Sequence, residues 1–425
     1  EDGIRVRDGG MMTGYVKEHD RIPFAQKSRK KPLEGVRIID AGNMVAAPYT
    51  TVLLADFGAN VIKIEHPKNG DGQRKLEPIK DGVPLWWKAI ARNKRCITLD
   101  LSKPKGAAVL KDLTKPADVV AENYRPGTLE RWGLGYDVLK AVNSRIILLR
   151  ISGFGQTGPQ RDRPGFGRIA EAMSGLTNLI GDPDGPPMSP GYPIGDLVAG
   201  MFGAFAIMMA LYHRDLRQGE GQVIDLALYE SVFRLLDFDP IQYDHLQTVH
   251  KRTGNRVSYV APSSMFKTKE GKYLTLAAST QSIWLRLCRA IGREDLTSNP
   301  KFVDNPARVE NSEEVNGIVG DWIAQRTRQE VEHCFNEHEV AYSSVYDMGD
   351  VFSDEQYLAR EALVRVPDED IGEAVVQNVV PKFSKTPGSV DHLGPRLGQH
   401  NDEIYGGELG YSAAKIKKLK EAGII

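Results

Sequence analysis

Residues 35–67 read GVRIIDAGNMVAAPYTTVLLADFGANVIKIEHP. "GVRIIDAG" is an apolar strand ending in a carboxylate and a glycine, "APYTTVLLADFGA" is a helix closed by glycine, and "NVIKIEHP" is a second strand. The alternation continues with strands "RCITLDL", "DVVAENY" and "RIILLRISGFG" and the helix "PKGAAVLKDLTKPA". Strand, helix and strand, repeated over short glycine-bearing connections, predict an α/β large domain built on a doubly wound, Rossmann-like parallel sheet.

In such sheets ligands sit beyond the carboxyl ends of the strands. The segments after each strand, Asp40–Pro48, Glu65–Arg74, Asn123–Trp132 and Ser152–Gly167, are polar, glycine-rich or basic. No G-x-G-x-x-G follows the first strand and no G-x-x-x-x-G-K-[ST] occurs, so a dehydrogenase or ATPase would rest on fold analogy alone. "GFGQTGPQ" is either a glycine loop or a plain turn.

Further on, "GEGQVIDLALYESVFRLLDF" gives a turn, a short strand and an amphipathic helix, and "APSSMFKTKEGKYLTLAAST" a hairpin turning at Glu270-Gly271. Gln281 to about Ala341 is mostly helical, and a glycine- and proline-rich tail leads to a final helix. The division predicted is an N-terminal arm over residues 1–31, a large α/β domain over 32–235, a small α+β domain over 236–350, and a return to the large domain over 351–425.

Composition limits the function classes. The chain has 425 residues with 55 basic against 56 acidic, so no whole-protein field draws in nucleic acid or an anionic membrane. Three separated cysteines (Cys96, Cys288, Cys334) fit neither a disulfide framework nor a structural zinc site, and point to a reducing, cytoplasmic setting. The nine histidines show no H-E-x-x-H, and no serine sits in G-x-S-x-G. The first residues have no apolar core of the secretory type, and the stretch before Met11 is either an appended remnant or an arm docked elsewhere. The apolar run Leu197–Tyr212 is shorter than the ~18 residues of a membrane span and reads as a buried helix. Its small residues, Ala199, Gly200, Gly203, Ala204, Ala206 and Ala210, imply a close helix–helix contact.

Asp196 stands between Gly195 and that run. As an N-cap it would stabilise the helix by about 1 kcal/mol. The same position holds an ionised carboxylate aimed, and Gly195 leaves space for a bulky reactant, so cap and nucleophile both stay open.

Seven segments, in order, carry a resemblance. They are "PLEGVRIIDAGNMVAAPYTTVLLADFGANVIKIEHPKNGDGQR", "ARNKRCITLDLSKPKG", "VVAENYRPGTLERWGLGYDVL", "ISGFGQTGPQRDRPGF", "PIGDLVAG", "GEGQVIDLALYES" and "APSSMFKTKEGKYL". Together they resemble the class III CoA-transferase family, which includes formyl-CoA transferase, the carnitine and bile-acid CoA transferases and the α-methylacyl-CoA racemases. The resemblance covers Pro32 to Gly406.

It implies coenzyme A as substrate thioester, a small carboxylic acid as second substrate, no metal or redox cofactor, and an interlocked homodimer. Asp196 of the Gly195-Asp196 pair falls on the family's catalytic aspartate, which forms an aspartyl-CoA thioester. His66, Asn123, Arg131 and Trp132 match CoA contacts, and Asn43, Met44, Val45 and Ala46 match the loop lining pantetheine and thioester. Phe166, at the end of "RDRPGF", joins the CoA-binding set. CoA phosphates want Arg, Lys and N–H donors, and Arg74, Lys94, Arg95, Arg125 and Arg131 lie at or near predicted strand ends. Backbone N–H donors for a developing oxyanion are sought in Gly153–Gly155 and near Gly254.

Two departures matter. Gly167 stands where many members carry an acid that racemases use as a proton-transfer base, which disfavours a racemase or isomerase. Glu171, one turn later, is either a partial replacement or a solvated or capping carboxylate. Val45 stands where formyl-CoA transferase has glutamine, so a larger or less polar acid than formate is expected. A third reading, a non-catalytic CoA-binding subunit of a heteromeric transferase, is opposed by the intact Gly195-Asp196 pair.

Overall fold

The computed structural model describes residues 19–28 and 30–425, so the stretch before Met11 lies outside the described residues. Two compact units are present. One holds the described residues up to Leu176 together with Ser189–Ile241 and Phe352–Ile425, and the other holds Thr177–Met188 and Gln242–Val351.

The large unit is built on β1 (Arg37–Asp40), α1 (Ala46–Asp56), β2 (Asn60–Glu65), β3 (Lys94–Thr98), α2 (Pro104–Thr114), β4 (Val119–Glu122), β5 (Ile147–Ser152), α3 (Gly167–Met173), α4 (Ile194–Leu216), β6 (Val223–Ala227) and α5 (Leu228–Phe233). Six strands pair in the order β3-β2-β1-β4-β5-β6, all parallel. This is the large parallel sheet that the opening motif predicts. Winding reverses at β1, which opens a crevice beyond the carboxyl ends of β1 and β4.

Both faces of the sheet are covered. Ile39, Ile62, Val120 and Leu148 pack with α2 and the C-terminal Ile404 and Tyr405, while their neighbours Ile38, Val61, Val119 and Ile147 pack with α1 and α4. A strand buried on both sides has to be apolar at successive positions. The edge strand β3 is closed by the tail: the Cys96 N–H donates to His400 Nδ1 at 3.0 Å, the Thr98 N–H to Asn401 Oδ1 at 2.9 Å, and the His400 N–H to the Cys96 carbonyl at 3.0 Å. The second unit pairs β7 (Ser263–Lys267), β8 (Tyr273–Ala277) and β9 (Tyr342–Ser344) antiparallel, with helices packed around Trp284, Val319 and Phe335.

The helix carrying Asp196 corrects the sequence reading. It spans 23 residues, long and apolar enough by composition to cross a membrane, and is buried along one face only. Gly200 and Gly203 lie against α1 so closely that an added Cβ would fall 2.8 Å from Tyr49 Cδ1 and 2.5 Å from Thr50 Oγ1. The small residues therefore serve one contact, while Met201, Phe205, Met208, Met209, Tyr212 and Leu216 remain exposed on the other side.

Charges are buried where the strands end. Asp40 is fully buried, accepting from Lys94 Nζ at 2.9 Å, Thr51 Oγ1 at 2.7 Å and the Gly42 N–H at 3.0 Å. Lys63, pointing from the middle of β2, reaches Asp71 at 2.8 Å, Asp40 at 3.7 Å and the Gly42 carbonyl. Burial alone would raise the Asp40 carboxyl, but the Lys63 and Lys94 ammoniums outweigh it and hold it at about 2. Because that value lies below the unfolded one, Asp40 stabilises the fold above about pH 4, and the contribution disappears as pH falls toward 2. Asp40→Asn keeps the shape and leaves the buried Lys94 ammonium without a carboxylate, while Lys63 keeps Asp71. Chemical denaturation at pH 7 is expected to show a loss of about 3–5 kcal/mol, and the variant should lack that part of the acid transition.

Candidate active site

The ion network sets the loops that the sequence singles out. Asp71 Oδ1 accepts from the Met44 and Gln73 N–H groups, both at 2.9 Å, so the loops after β1 and β2 are tied together on one carboxylate. Met44 adopts φ +64°, and Gly72 opposite it leaves room for the thioether, since a Cβ there would lie 2.5 Å from Sδ. Asn123, just past β4, clasps Asn43 by accepting its N–H at 2.7 Å and donating to its carbonyl at 2.8 Å. Val45 and Ala46 open α1 and are buried. Leu197 packs against the apolar cluster that holds Val45, and Gly200 lies against the Ala46 carbonyl, where an added Cβ would fall 3.0 Å from the oxygen, so α4 approaches the end of the Asn43–Ala46 loop.

The remaining expected CoA contacts are distributed around this crevice. His66 is half-exposed after β2, its Nδ1 accepting from the Lys68 and Asn69 N–H groups at 3.2 and 3.3 Å. Arg125 is exposed and donates to the Asp162 carbonyl, and Arg131 donates to Thr128 Oγ1 at 2.8 Å. Trp132 stacks edge-on against Tyr124 at 5.0 Å. Their segment is held from below by Arg150, which bridges Glu122 at 2.8 Å and Glu130 at 2.7 Å. Phe166 is exposed immediately before α3.

Three further basic residues are engaged within the fold. Arg74 forms a double bond pair with buried Glu65 at 2.6 and 2.8 Å, donates to the Pro395 carbonyl and stacks on Trp87, so its charge is neutralised within the fold. Lys94 and Arg95 open β3 rather than follow it. Lys94 is consumed by Asp40, and Arg95 pairs with Glu403 and Glu408.

Asp196 is the third residue of α4, with Pro193 in the cap position, so it is not the N-cap. Gly195 gives no open space either. It is buried against α3, where an added Cβ would lie 2.7 Å from the Gly167 carbonyl oxygen. The reciprocal contact is tighter, for a Cβ on Gly167 would lie 2.4 Å from Asp196 Oδ2. A side chain at 167 would have to displace the Asp196 carboxylate from this position. Glu171, far from solvated, is 2% exposed and accepts the Gly195 N–H at 2.9 Å, which makes it the capping carboxylate of α4. Of the expected oxyanion donors, Gly153 is packed on Gly165, Gly155 faces Asp225, and Gly254 belongs to the second unit.

Burial, then the Glu171 charge, push the Asp196 carboxyl up to about 6, and the Gly167 N–H pulls it back. The sequence reading, in which the helix field simply favours the anion, omitted both effects. Among the described residues no three His, Cys, Asp or Glu side chains form a metal-binding group.

A half-buried carboxylate with a raised proton affinity, met by the Gly167 N–H, suits acyl transfer. The chain belongs to CoA-transferase family III, whose profile matches residues 33–401. It is an enzyme of that class, and such enzymes use CoA thioesters as substrates. It is 44% identical to the succinyl-CoA–L-malate CoA-transferase β subunit of Chloroflexus aurantiacus over 93% of this chain and 98% of that protein. Succinyl-CoA–D-citramalate CoA-transferase of the same organism is 41% identical over 93% and 98%. Mouse (Mus musculus) succinyl-CoA:glutarate CoA-transferase is 34% identical over 95% and 92%. A CAIB/BAIF family protein of Brucella suis aligns with TM-score 0.79 at 30% identity, covering 90% of this chain and all of that one.

Because Asp196 binds its proton more tightly folded, at about 6 against 3.8, its ionisation opposes folding; the cost is absent below about pH 4 and complete above 6. Allowing for partial exposure, the cost is about 1–2 kcal/mol. Asp196→Asn should be more stable than the native chain by that amount in urea at pH 7, and equally stable at pH 4.

Proposed function

We propose that this enzyme moves CoA between succinyl-CoA and a short dicarboxylic acid through a covalent aspartyl-CoA thioester on Asp196. The observation that carries the reading is the Asp196 carboxylate itself: half-buried, held at about 6, touching Gly167, and carried on a helix that approaches Ala46 at Gly200. Support for the acids comes from the relatives, whose names pair succinyl-CoA with malate, citramalate and glutarate. Val45 in place of a polar side chain agrees with an acid larger than formate.

In this mechanism a carboxylate oxygen of Asp196 attacks the donor thioester carbonyl, the C–S bond breaks, and CoA leaves as thiolate from a mixed anhydride. The thiolate attacks the Asp196 carbonyl and expels the donor acid as carboxylate, giving aspartyl-CoA. The acceptor carboxylate attacks that thioester to form a second anhydride, and the released thiolate attacks the acceptor carbonyl, regenerating Asp196. Asn43, Met44, Val45 and Ala46 line the thioester and pantetheine, and His66, Asn123, Arg125, Arg131, Trp132 and Phe166 take the nucleotide end. At pH 7 a carboxyl at about 6 is mostly ionised, as the first attack requires.

The exposed apolar band of α4 supports assembly into the family's interlocked homodimer. A second arrangement is favoured by one relative, a β subunit: this chain then pairs with a different subunit.

Incubation with succinyl-CoA followed by hydroxylamine is expected to leave a hydroxamate on Asp196. Asp196→Ala should transfer no CoA, and full activity in that variant would end the proposal. Gly167→Ala, whose Cβ enters the space of Oδ2, should lower kcat about a hundredfold with the fold intact by circular dichroism. Light scattering of the chain purified alone should give twice the monomer mass with activity; an inactive monomer would favour the two-subunit arrangement.

A further inference from the structure

The start of a helix leaves N–H groups with no acceptor inside the helix. In α4 the residue in the cap position is Pro193, which makes no side-chain cap bond, and Asp196 stands at the third position, where an acid ordinarily serves the helix start. The acceptor comes instead from another helix. Glu171, one turn into α3 and 2% exposed, reaches across the Gly167–Gly195 contact and takes the Gly195 N–H at 2.9 Å. That crossing is glycine on both sides, and neither position accepts a Cβ without displacing the other helix or the Asp196 carboxylate. The carboxylate of Glu171 is thus fixed at both ends, by the α3 backbone and by the N–H of the residue that precedes the nucleophile.

We propose that Glu171 is a positioning residue for Asp196: it occupies the helix-start N–H that would otherwise draw the Asp196 carboxylate back onto α4, and leaves that carboxylate turned off its own helix toward the Gly167 N–H and the substrate side. The proposal rests on the reading of Asp196 as nucleophile. Electrostatics acts in the same direction. After burial, the Glu171 charge is what raises Asp196 to about 6, and a more basic carboxylate is a stronger nucleophile once ionised. The other ionisable groups on the elements packed around this turn are Tyr49 and Asp56 on α1, Arg150 on β5, Arg168 on α3, Asp225 on β6, and Tyr229 and Glu230 on α5, and none of them acts on the Asp196 charge as Glu171 does.

Two variants of the full chain separate position from charge. Glu171→Gln keeps an acceptor oxygen of the same reach and loses the charge, while Glu171→Ala loses both. The first readout needs no turnover: amidation of Asp196 by a water-soluble carbodiimide, followed by peptide mass spectrometry from pH 4 to 8, titrates that carboxyl directly. The native chain should show a midpoint near 6, and Glu171→Gln a midpoint lower by about one unit. The second readout is steady-state CoA transfer from succinyl-CoA. Glu171→Ala is expected to lose about a hundredfold in kcat with KM for the thioester within about twofold. Glu171→Gln should lose less and move the acid limb of the kcat profile down with the midpoint. Native kcat and an unmoved midpoint in Glu171→Ala, with an unchanged melting transition, overturn the proposal. Full transfer by Asp196→Asn would instead remove the nucleophile reading, and the amidation midpoint would still decide whether Glu171 governs that carboxyl.

Discussion

Two lysines and two aspartates buried at the head of the sheet are the constraint from which the rest of the site follows. An ammonium in a protein interior is tolerated only with a matched carboxylate and satisfied hydrogen bonds. Here the match is Lys94 with Asp40 and Lys63 with Asp71, completed by Thr51, the Gly42 carbonyl and the Pro48 carbonyl, which accepts from Lys94 at 2.7 Å. Meeting that requirement fixes the turn after β1, the start of α1 and the loop after β2 at once. Met44 can hold a left-handed conformation because its N–H is bonded to Asp71 as well as to the Asn43 side chain. The crevice is therefore shaped by charges buried beneath its loops.

The second organising contact is steric. Where α3 meets α4, two glycines remove the side chains that would keep the backbones apart, and the Asp196 carboxylate lies against that contact. A site of this kind is intolerant of additions, because its precision comes from contact rather than from a cavity. It also combines two carboxylates, Glu171 and Asp196, in one half-buried place, an arrangement unfavourable for folding that persists where function uses it.

Much of the large unit was legible because its physics is local. Alternating strands and helices, glycine closures and an acid at the end of "RIID", "KIE" and "VVAE" mark a parallel sheet and the edge where ligands gather. What escaped was whatever depends on pairing across the chain. Lys63 sits in a strand buried on both faces, and that mismatch alone announces a buried ion pair, but its partner Asp71 is identified only in three dimensions. Arg74 and Lys94 carry the right charge for phosphate, and sequence cannot tell that Glu65 and Asp40 already hold them. Gly195 and Gly167 read as open space and a missing acid, whereas together they are one contact. The apolar run after Asp196 gave length and composition, not which side faces out, because small and large residues alternate around it.

The hydrogen-bonded edge of β3 has a meaning for how the chain is made. Its Cys96 and Thr98 N–H groups are met by His400 and Asn401, some three hundred residues downstream, and the Pro395 carbonyl beside them receives both Arg74 and the Trp87 indole. During vectorial synthesis the sheet therefore stands with one raw border for most of translation, open to pairing with a neighbouring nascent chain. The border can be sealed only once residues 400 and 401 have been made, so loss of that segment should be read as an injury to the parallel sheet and not as the loss of a tail.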